Sequence, residues 1–252
     1  MTERPSEGVA EADVWGRIYL DHWAGVSHPH TYVSDDGVRN DVPDAAGYFD
    51  APRSDAERRA LNELSGRVLD LGCGPGSYAL YLEERCVHVV AIDSSEGAID
   101  VCRRRGCADA RVADLSDPGE EGLFDAIVCM GNTIGIGQDP STLPTLLRGL
   151  RGRVRLSGCL ILGMLDPLMT DVPNRLEYHE RNRARGLPPA LVRAHLEYRG
   201  VASEEWTLWL PTESELRDAL EAAGWRVDRL DREGAKLLWT LMPSEDATLH
   251  EE

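Results

Sequence analysis

Short apolar runs alternate with segments of helical periodicity through the middle of the chain. The apolar runs cover residues 68–71, 87–92, 110–113, 124–130 and 156–165, and the helical segments between them cover residues 78–85, 95–105 and 141–151. Apolar runs of this length are typical of strands that are buried on both faces of a parallel sheet. Since parallel strands are joined by right-handed crossovers, the pattern predicts a doubly wound α/β fold with helices on both faces.

The flanking segments complete the predicted fold. Helical periodicity predicts helices over residues 13–23, 52–64 and 212–223 and over part of 169–185, whereas the Gly-, Pro-, Asp- and Ser-rich residues 25–50 are predicted to be mainly loop. Residues 191–198 and 205–210 alternate apolar and polar, which predicts an inserted strand pair after the fifth strand. A final pair, residues 225–230 and 236–242, gives a Rossmann-like sheet of seven mostly parallel strands.

These boundaries divide the chain into five parts. We expect an N-terminal lid (1–50), a ligand-binding core (51–165), a substrate-covering insertion (166–210), a segment that completes the core sheet (211–243) and a loose tail (244–252). Within the lid, residues 1–12 are polar and acidic and are expected to fray.

The net charge of the chain limits the kinds of partner that we expect it to bind. A net charge of −17 at pH 7 over 252 residues would repel a phosphate backbone, so we expect no nucleic acid partner. An anionic membrane surface is disfavoured for the same reason, and no apolar run is long enough to cross a membrane. Because the N-terminus lacks a secretory signal, we expect a cytoplasmic protein.

The cysteines and histidines do not form a metal-binding pattern. No CxxC pair occurs, and the six cysteines are interpreted as buried, reduced thiols. His22, His28 and His30 lie near each other in the sequence, but no cysteine or carboxylate pattern accompanies them, so we interpret them as surface residues. We therefore expect no bound metal.

Residues 67–76, Arg-Val-Leu-Asp-Leu-Gly-Cys-Gly-Pro-Gly, predict a buried strand that runs directly into a glycine-rich turn. Backbone amides in such a turn can approach a ligand closely, because glycine has no Cβ. Asp70, inside the strand, favours a positively charged ligand over a phosphate. A nicotinamide-binding turn would have the spacing G-x-G-x-x-G, whereas this turn has G-x-G-x-G. Polar residues also fall at the carboxyl ends of the later strands, where ligands bind in such sheets: Asp93, Asp114, Asn132 and Asp166.

With this motif and this order of acids, residues 65–165 resemble the class I S-adenosylmethionine-dependent methyltransferases. The resemblance implies S-adenosylmethionine as cofactor and S-adenosylhomocysteine as product. It implies that Asp70, Gly72 and Gly74 meet the methionine part of the cofactor and that Asp93 accepts hydrogen bonds from both ribose hydroxyls. It further implies that Ser94 lies beside the adenine, that Asp114 accepts its amino group and that the Leu115 amide is close to a ring nitrogen. The Met130 carbonyl would accept the cofactor's ammonium. The other implied cofactor residues are Cys73 and Gly76 in the turn and Tyr19 in the lid. The alternative role for Asp93 and Asp114 is helix capping.

Methyl transfer requires an aligned acceptor, exclusion of water and often the removal of a proton. No motif identifies the residue that takes this proton. The segment 178–185, Tyr-His-Glu-Arg-Asn-Arg-Ala-Arg, offers His179 as a base and Tyr178 and Arg183 as substrate-binding residues, together with Asn132. The alternative is a solvated helix with alternating charges.

The favoured hypothesis is methyl transfer to a small molecule in specialised, natural-product metabolism. The acidic surface and the aromatic lid favour a small substrate over a macromolecule. Two alternatives stay open: a non-methylating reaction such as cyclisation that uses the bound cofactor, and a non-catalytic binding module. A homodimer is also left open.

Overall fold

The computed structural model describes residues 10, 12–85, 87–117, 119 and 122–244. The predictions for the N-terminal residues 1–12 and for the tail 244–252 fall largely outside these residues, as does Cys86.

The described residues form seven α-helices and twelve strands. The helices are α1 (Val14–Trp23), α2 (Asp55–Asn62), α3 (Ser77–Glu83), α4 (Glu96–Arg104), α5 (Leu143–Arg151), α6 (Pro173–Ala184) and α7 (Glu213–Ala222). The strands are β1 (His30–Ser34), β2 (Arg39–Val42), β3 (Arg67–Leu71), β4 (His88–Asp93), β5 (Ala110–Val112), β6 (Phe124–Cys129), β7 (Val154–Leu165), β8 (Leu191–Tyr198), β9 (Val201–Ala202), β10 (Trp206–Trp209), β11 (Trp225–Glu233) and β12 (Lys236–Pro243). Among these residues, no helix is both long and apolar enough to span a bilayer.

The central sheet confirms the predicted fold. Its seven strands follow the order β11-β12-β7-β6-β3-β4-β5. Within it β3 to β7 pair in parallel, and only β12 runs against both of its neighbours. The carboxyl ends of β3, β4, β5, β6 and β7 therefore lie along one edge of the sheet.

Apolar side chains of the central strands alternate between two cores. Leu69 and Leu71 pack with residues of α5 and α7 on one face, and Val68 packs with residues of α2, α3 and α4 on the other. All three side chains are fully buried, which contributes about 1.5–3 kcal/mol each to folding. Helices on both faces are what the uninterrupted apolar runs predict.

Side-chain hydrogen bonds fix the starts of two helices. The Ser54 side chain accepts a bond from the Glu57 amide at the start of α2. At the start of α7, Thr212 and Glu215 form a complete capping box. Such caps satisfy amides that have no partner inside the helix.

A second sheet corrects the prediction that residues 25–50 are mainly loop. Its path is β10-β8-β1-β2, with β9 paired to β8, so the predicted strand pair after the fifth core strand joins a hairpin from the N-terminal segment. Tyr32 in β1 faces Leu196 in β8 across the antiparallel ladder. The hairpin was missed because β1 has only two buried side chains and those of β2 are mostly exposed, so neither strand carries a clear alternating apolar pattern.

Helix α1 contacts α4 backbone to backbone. A Cβ on Gly16 would lie 2.7 Å from the Gly97 Cα, and a Cβ on Gly97 would lie 2.5 Å from the Gly16 Cα. The Asp13 carboxylate accepts hydrogen bonds from the Gly16 amide and the Gly97 amide, each 2.9 Å long. One carboxylate thus caps both helices, at a crossing that leaves no room for a side chain.

The other end of α1 is attached to the second sheet. Asp21 is fully buried and accepts a hydrogen bond from the Tyr198 hydroxyl (3.0 Å) and one from the Arg199 guanidinium (2.6 Å). Helix α1 therefore links the central sheet, through α4, to the sheet that covers it.

We expect Gly97→Ala to lower the free energy of unfolding by about 1–3 kcal/mol, because the new methyl group overpacks the α1–α4 crossing. The matched control is Gly149→Ala in α5, where a Cβ meets nothing within 4 Å. That change should raise stability by roughly 0.5–1 kcal/mol through helix propensity alone. Urea denaturation followed by circular dichroism measures both; equal effects of the two changes would contradict a tight crossing.

Candidate active site

A large cavity lies between the carboxyl ends of the parallel strands and the second sheet. Its volume is about 1680 Å³, above the roughly 300–1,000 Å³ of a usual single-ligand pocket. Residues of the glycine turn, α1, β1, β8, β10 and the segment 163–179 line it. The cavity therefore has room for two ligands side by side, one against the central sheet and one against the cover.

The glycine turn forms one wall of this cavity, and its glycines are required by backbone and by packing. Gly72, Gly74 and Gly76 have φ angles of 72°, 54° and 83°, a region that favours glycine. A Cβ on Gly72 would lie 2.3 Å from Thr133, and one on Gly76 would lie 2.4 Å from the sulfur of Cys102. Gly72, Cys73 and Gly74 line the cavity, whereas Gly76 packs behind the turn against α4.

Asp70 lies beneath the turn rather than at the cavity surface. Its side chain is 1 % exposed, and its Oδ2 atom has no hydrogen-bond partner among the described residues. Burial raises the pKa of Asp70 to about 7, opposed by the Ala79 backbone amide and reinforced by the charge of Asp93. A buried carboxyl with a free oxygen is electrostatically suited to a cation nearby.

Asp93 ends β4 and lines the cavity. One carboxylate oxygen accepts the Gly74 amide and the other accepts the Ser95 amide, each at 2.9 Å. Burial raises its pKa, and these backbone donors oppose the rise. The cap of α4 is Ser95, whose hydroxyl accepts from the Ala98 amide. Asp93 is therefore not the helix cap, and its carboxylate fixes the glycine turn to the end of β4.

Ser94, Asp114 and Leu115 also line the cavity. Asp114 is exposed, and one of its oxygens accepts from both the amide (2.8 Å) and the hydroxyl (2.5 Å) of Ser116. No helix starts there, so Asp114 shapes a turn after β5, and its second oxygen has no hydrogen-bond partner among the described residues.

The turn after β6 brings Met130 and Asn132 to the cavity. The Met130 carbonyl already accepts two bonds from Thr133, one from its hydroxyl (2.7 Å) and one from its amide (3.3 Å). The carbonyl assigned to the cofactor ammonium is thus occupied within the chain itself. The Asn132 side-chain oxygen accepts the Leu165 amide at 2.8 Å and so ties the ends of β6 and β7.

An aromatic cluster faces the cavity from the cover, and the sequence predicted only the part of it that lies on the first helix. Trp15, Tyr19, Tyr32, Tyr48 and Trp206 all line it. Tyr19 stacks on Trp15 with ring centroids 5.6 Å apart, and Tyr32 lies 6.2 Å from Trp206. A Cβ on Gly74 would be 3.7 Å from the Tyr19 hydroxyl, so this ring lies over the glycine turn. Only the helical spacing of Trp15 and Tyr19 carried any signal of the cluster.

His179 and Tyr178 reach the cavity from α6, but Arg183 does not. His179 is 6 % exposed and has no hydrogen-bond partner within the described residues. Burial, with the charges of Arg183 and Arg175, lowers its pKa, so the ring is neutral at pH 7. The Tyr178 hydroxyl donates to Asp35 at 2.8 Å, which holds α6 on the β1–β2 hairpin. The alternative of a solvated helix therefore fits Arg183, which is exposed, and not His179.

The interpretation of three surface histidines is wrong for one of them. His28 is exposed and His22 is half-buried, but His30 is fully buried. His30 sits in β1 and packs against Trp15 and Tyr48, with ring centroids 5.9 and 6.3 Å away. The five described cysteines are unpaired, four of them buried, as expected for reduced thiols.

Part of this chain matches a known protein family. Residues 68–158 match the family described as Methyltransferase domain. A cypemycin N-terminal methyltransferase from Streptomyces sp is 32% identical over 108 residues, which are 41% of this chain and 44% of that protein. A demethylmenaquinone methyltransferase from Clavibacter sepedonicus is 36% identical over 110 residues, 41% of this chain and 45% of that protein. The chain thus spans less than half the length of these relatives.

A solved structure extends the similarity of fold over nearly the whole chain. The S-adenosylmethionine-dependent methyltransferase from Bacteroides fragilis, in complex with S-adenosylhomocysteine, superposes with a TM-score of 0.78 and 24% identity. The match covers 93% of this chain and 96% of that one. Sequence match and fold therefore agree: residues 68–158 match the methyltransferase domain family, and the described chain has the fold of an S-adenosylmethionine-dependent methyltransferase solved with S-adenosylhomocysteine.

Proposed function

We propose that this protein transfers the methyl group of S-adenosylmethionine to a small-molecule acceptor. The observation that carries the proposal is one continuous cavity. It extends from the glycine turn and Asp93 to a space with aromatic walls under the second sheet. A cofactor against the turn leaves the covered space for an acceptor. Release of S-adenosylhomocysteine during turnover tests the proposal and separates it from a non-methylating reaction.

The residues present fit the cofactor. Asp70 keeps an unpartnered buried oxygen, which suits a cationic ligand, and Asp93 holds the turn in place with one bond from each carboxylate oxygen. Each carboxylate oxygen can accept a second bond, so Asp93 can also receive ribose hydroxyls. The bound sulfonium would supply an electrophilic methyl group.

The chain contributes binding, orientation and exclusion of water. In this proposal residues 12–50 and 166–210 cover the acceptor, and Tyr19 closes the glycine turn from above. The main requirement is to hold both ligands in line under this cover, since an aligned pair reacts far faster than free reactants. The neutral, unpartnered ring of His179 lines this cover and can accept a proton from the acceptor.

The names of relatives support a small acceptor and a biosynthetic role. They include a magnesium-protoporphyrin O-methyltransferase from Rhodobacter capsulatus and a trans-aconitate 2-methyltransferase from Mycolicibacterium gilvum. A solved structure of similar fold is titled the sugar N-methyltransferase KedS8 from Streptoalloteichus sp. On the basis of these names we also propose, more narrowly, that this protein acts in natural-product metabolism.

Asp93→Asn should weaken S-adenosylmethionine binding roughly 10- to 100-fold, because hydrogen bonds to a charged group contribute about 1.5–3 kcal/mol. Isothermal titration calorimetry measures the affinity. Asp100→Asn, in α4 and paired with Arg104 alone among the described residues, is the matched control and should bind like the unaltered protein. Thermal melting shows that each variant is folded; equal affinities would remove Asp93 from the site.

The affinity for S-adenosylmethionine should rise with pH between about 5.5 and 8. The pKa of Asp70 is about 7 in the free protein, and a cation nearby favours the ionised form, so binding expels a proton below this pKa. The gain should approach tenfold per pH unit below this pKa and level off above it, where the carboxyl is already ionised in the free protein. Calorimetry in two buffers of different ionisation enthalpy detects the released proton. Asp70→Asn should flatten this dependence; an unchanged slope would assign it to another group.

His179→Ala should slow turnover while leaving cofactor affinity intact, since the ring lines the covered half of the cavity. Because its pKa lies below the usual 6.5, the unaltered protein should keep its rate down to mildly acidic pH and lose it as the ring becomes protonated. The variant should lack this acidic limb. Steady-state rates of S-adenosylhomocysteine release from pH 5 to 8 measure it, and an unchanged profile would exclude His179 from proton transfer.

A further inference from the structure

The covered half of the cavity is unevenly charged. Five carboxylates line it without an ion pair among the described residues: Asp44, Asp166, Glu204, Glu205 and Glu233. Two further carboxylates on the wall are neutralised, Asp36 by Arg181 and Asp231 by Arg59. The cations that line the cavity are Arg53, Arg175 and Lys236, fewer than the five unpaired carboxylates. This wall therefore attracts positive charge and repels an anionic acceptor.

The aromatic side chains of the cover suit the same charge. Tyr32 stands between Trp15 and Trp206, with ring centroids 5.9 and 6.2 Å away, and all three line the cavity. Ring faces attract ammonium groups by about 0.5–2 kcal/mol and also stack on planar molecules. An acceptor with a cationic group and a planar part would use both features.

His179 is the polar group that points to a specific contact. It is nine-tenths buried, lines the cavity and has no hydrogen-bond partner in the described part of the chain. A neutral imidazole carries one nitrogen that accepts a hydrogen bond. An N–H group of the acceptor would satisfy that nitrogen inside the covered space.

We propose, resting on the methyl transfer proposed above, that the methyl-accepting atom is the nitrogen of an amine. An ammonium has no lone pair, so an acceptor that enters protonated would first give one proton to the neutral ring of His179. The amine lone pair would then form the new N–C bond while the S–C pair returns to sulfur, so the positive charge of the sulfonium moves to nitrogen. An acidic wall favours the cation before and after this step. The methylated product then leaves as an ammonium ion. A phenolate or carboxylate acceptor would instead have to enter against the wall's charge.

Binding of two matched probes tests the inference. The probes are tryptamine and indole-3-propionate, which share the ring and differ in the sign of the terminal charge. Titrated into protein saturated with S-adenosylhomocysteine, tryptamine should bind at least about tenfold more tightly. The double substitution Glu204→Gln, Glu205→Gln should reduce this preference at least about threefold. Glu180→Gln, an exposed change on α6 outside the cavity wall, is the control and should leave the preference unchanged.

The outcomes separate the inference from the proposed function. Failure of S-adenosylhomocysteine itself to bind would overturn both. If it binds, equal affinities of the probes, tighter binding of indole-3-propionate, binding of neither probe, or an unaltered preference in the double variant would overturn the amine acceptor and leave methyl transfer standing.

Discussion

The contact between Gly16 and Gly97 is the constraint on which the active site depends. It brings the axis of α1 so close to α4 that only hydrogen fits between them, and the Asp13 carboxylate caps both helices at that point. Tyr19 lies over the glycine turn because α1 lies there. The second sheet follows, since Asp21 fastens α1 to the end of β8. A displacement of this one crossing would reach the turn, the aromatic cluster and the cover together.

The core could be predicted from the sequence because its signals are local. The apolar run from Val68 to Leu71 is buried on both faces, and the turn that follows needs glycine at three positions, so pattern and backbone chemistry agree. The caps at Ser54 and Thr212 were predictable for the same reason. The polar strand ends Asp93, Asp114 and Asn132 also reach the cavity as the topology requires.

The cover could be predicted only in part, because its contacts join distant residues. The strand β1 has few buried side chains and gains stability from pairing with β8. Its sequence therefore resembles a loop, and neither the hairpin nor the burial of His30 could be predicted from it. His179 lines the cavity and Arg183 does not, because the bond from Tyr178 to Asp35 fixes how α6 packs on the hairpin. Neither follows from a helix with a weak apolar face.

The second sheet also has a consequence for how the chain folds. Its strands come from residues 30–42 and 191–209, on either side of the whole parallel core, so its ladder closes a loop of roughly 150 residues. Pairing across such a separation carries a large closure entropy and is slow relative to local structure. During synthesis the N-terminal hairpin emerges long before its partner strand does. The parallel core is thus expected to fold first, and the space between it and the second sheet to be the last part of the molecule that takes shape.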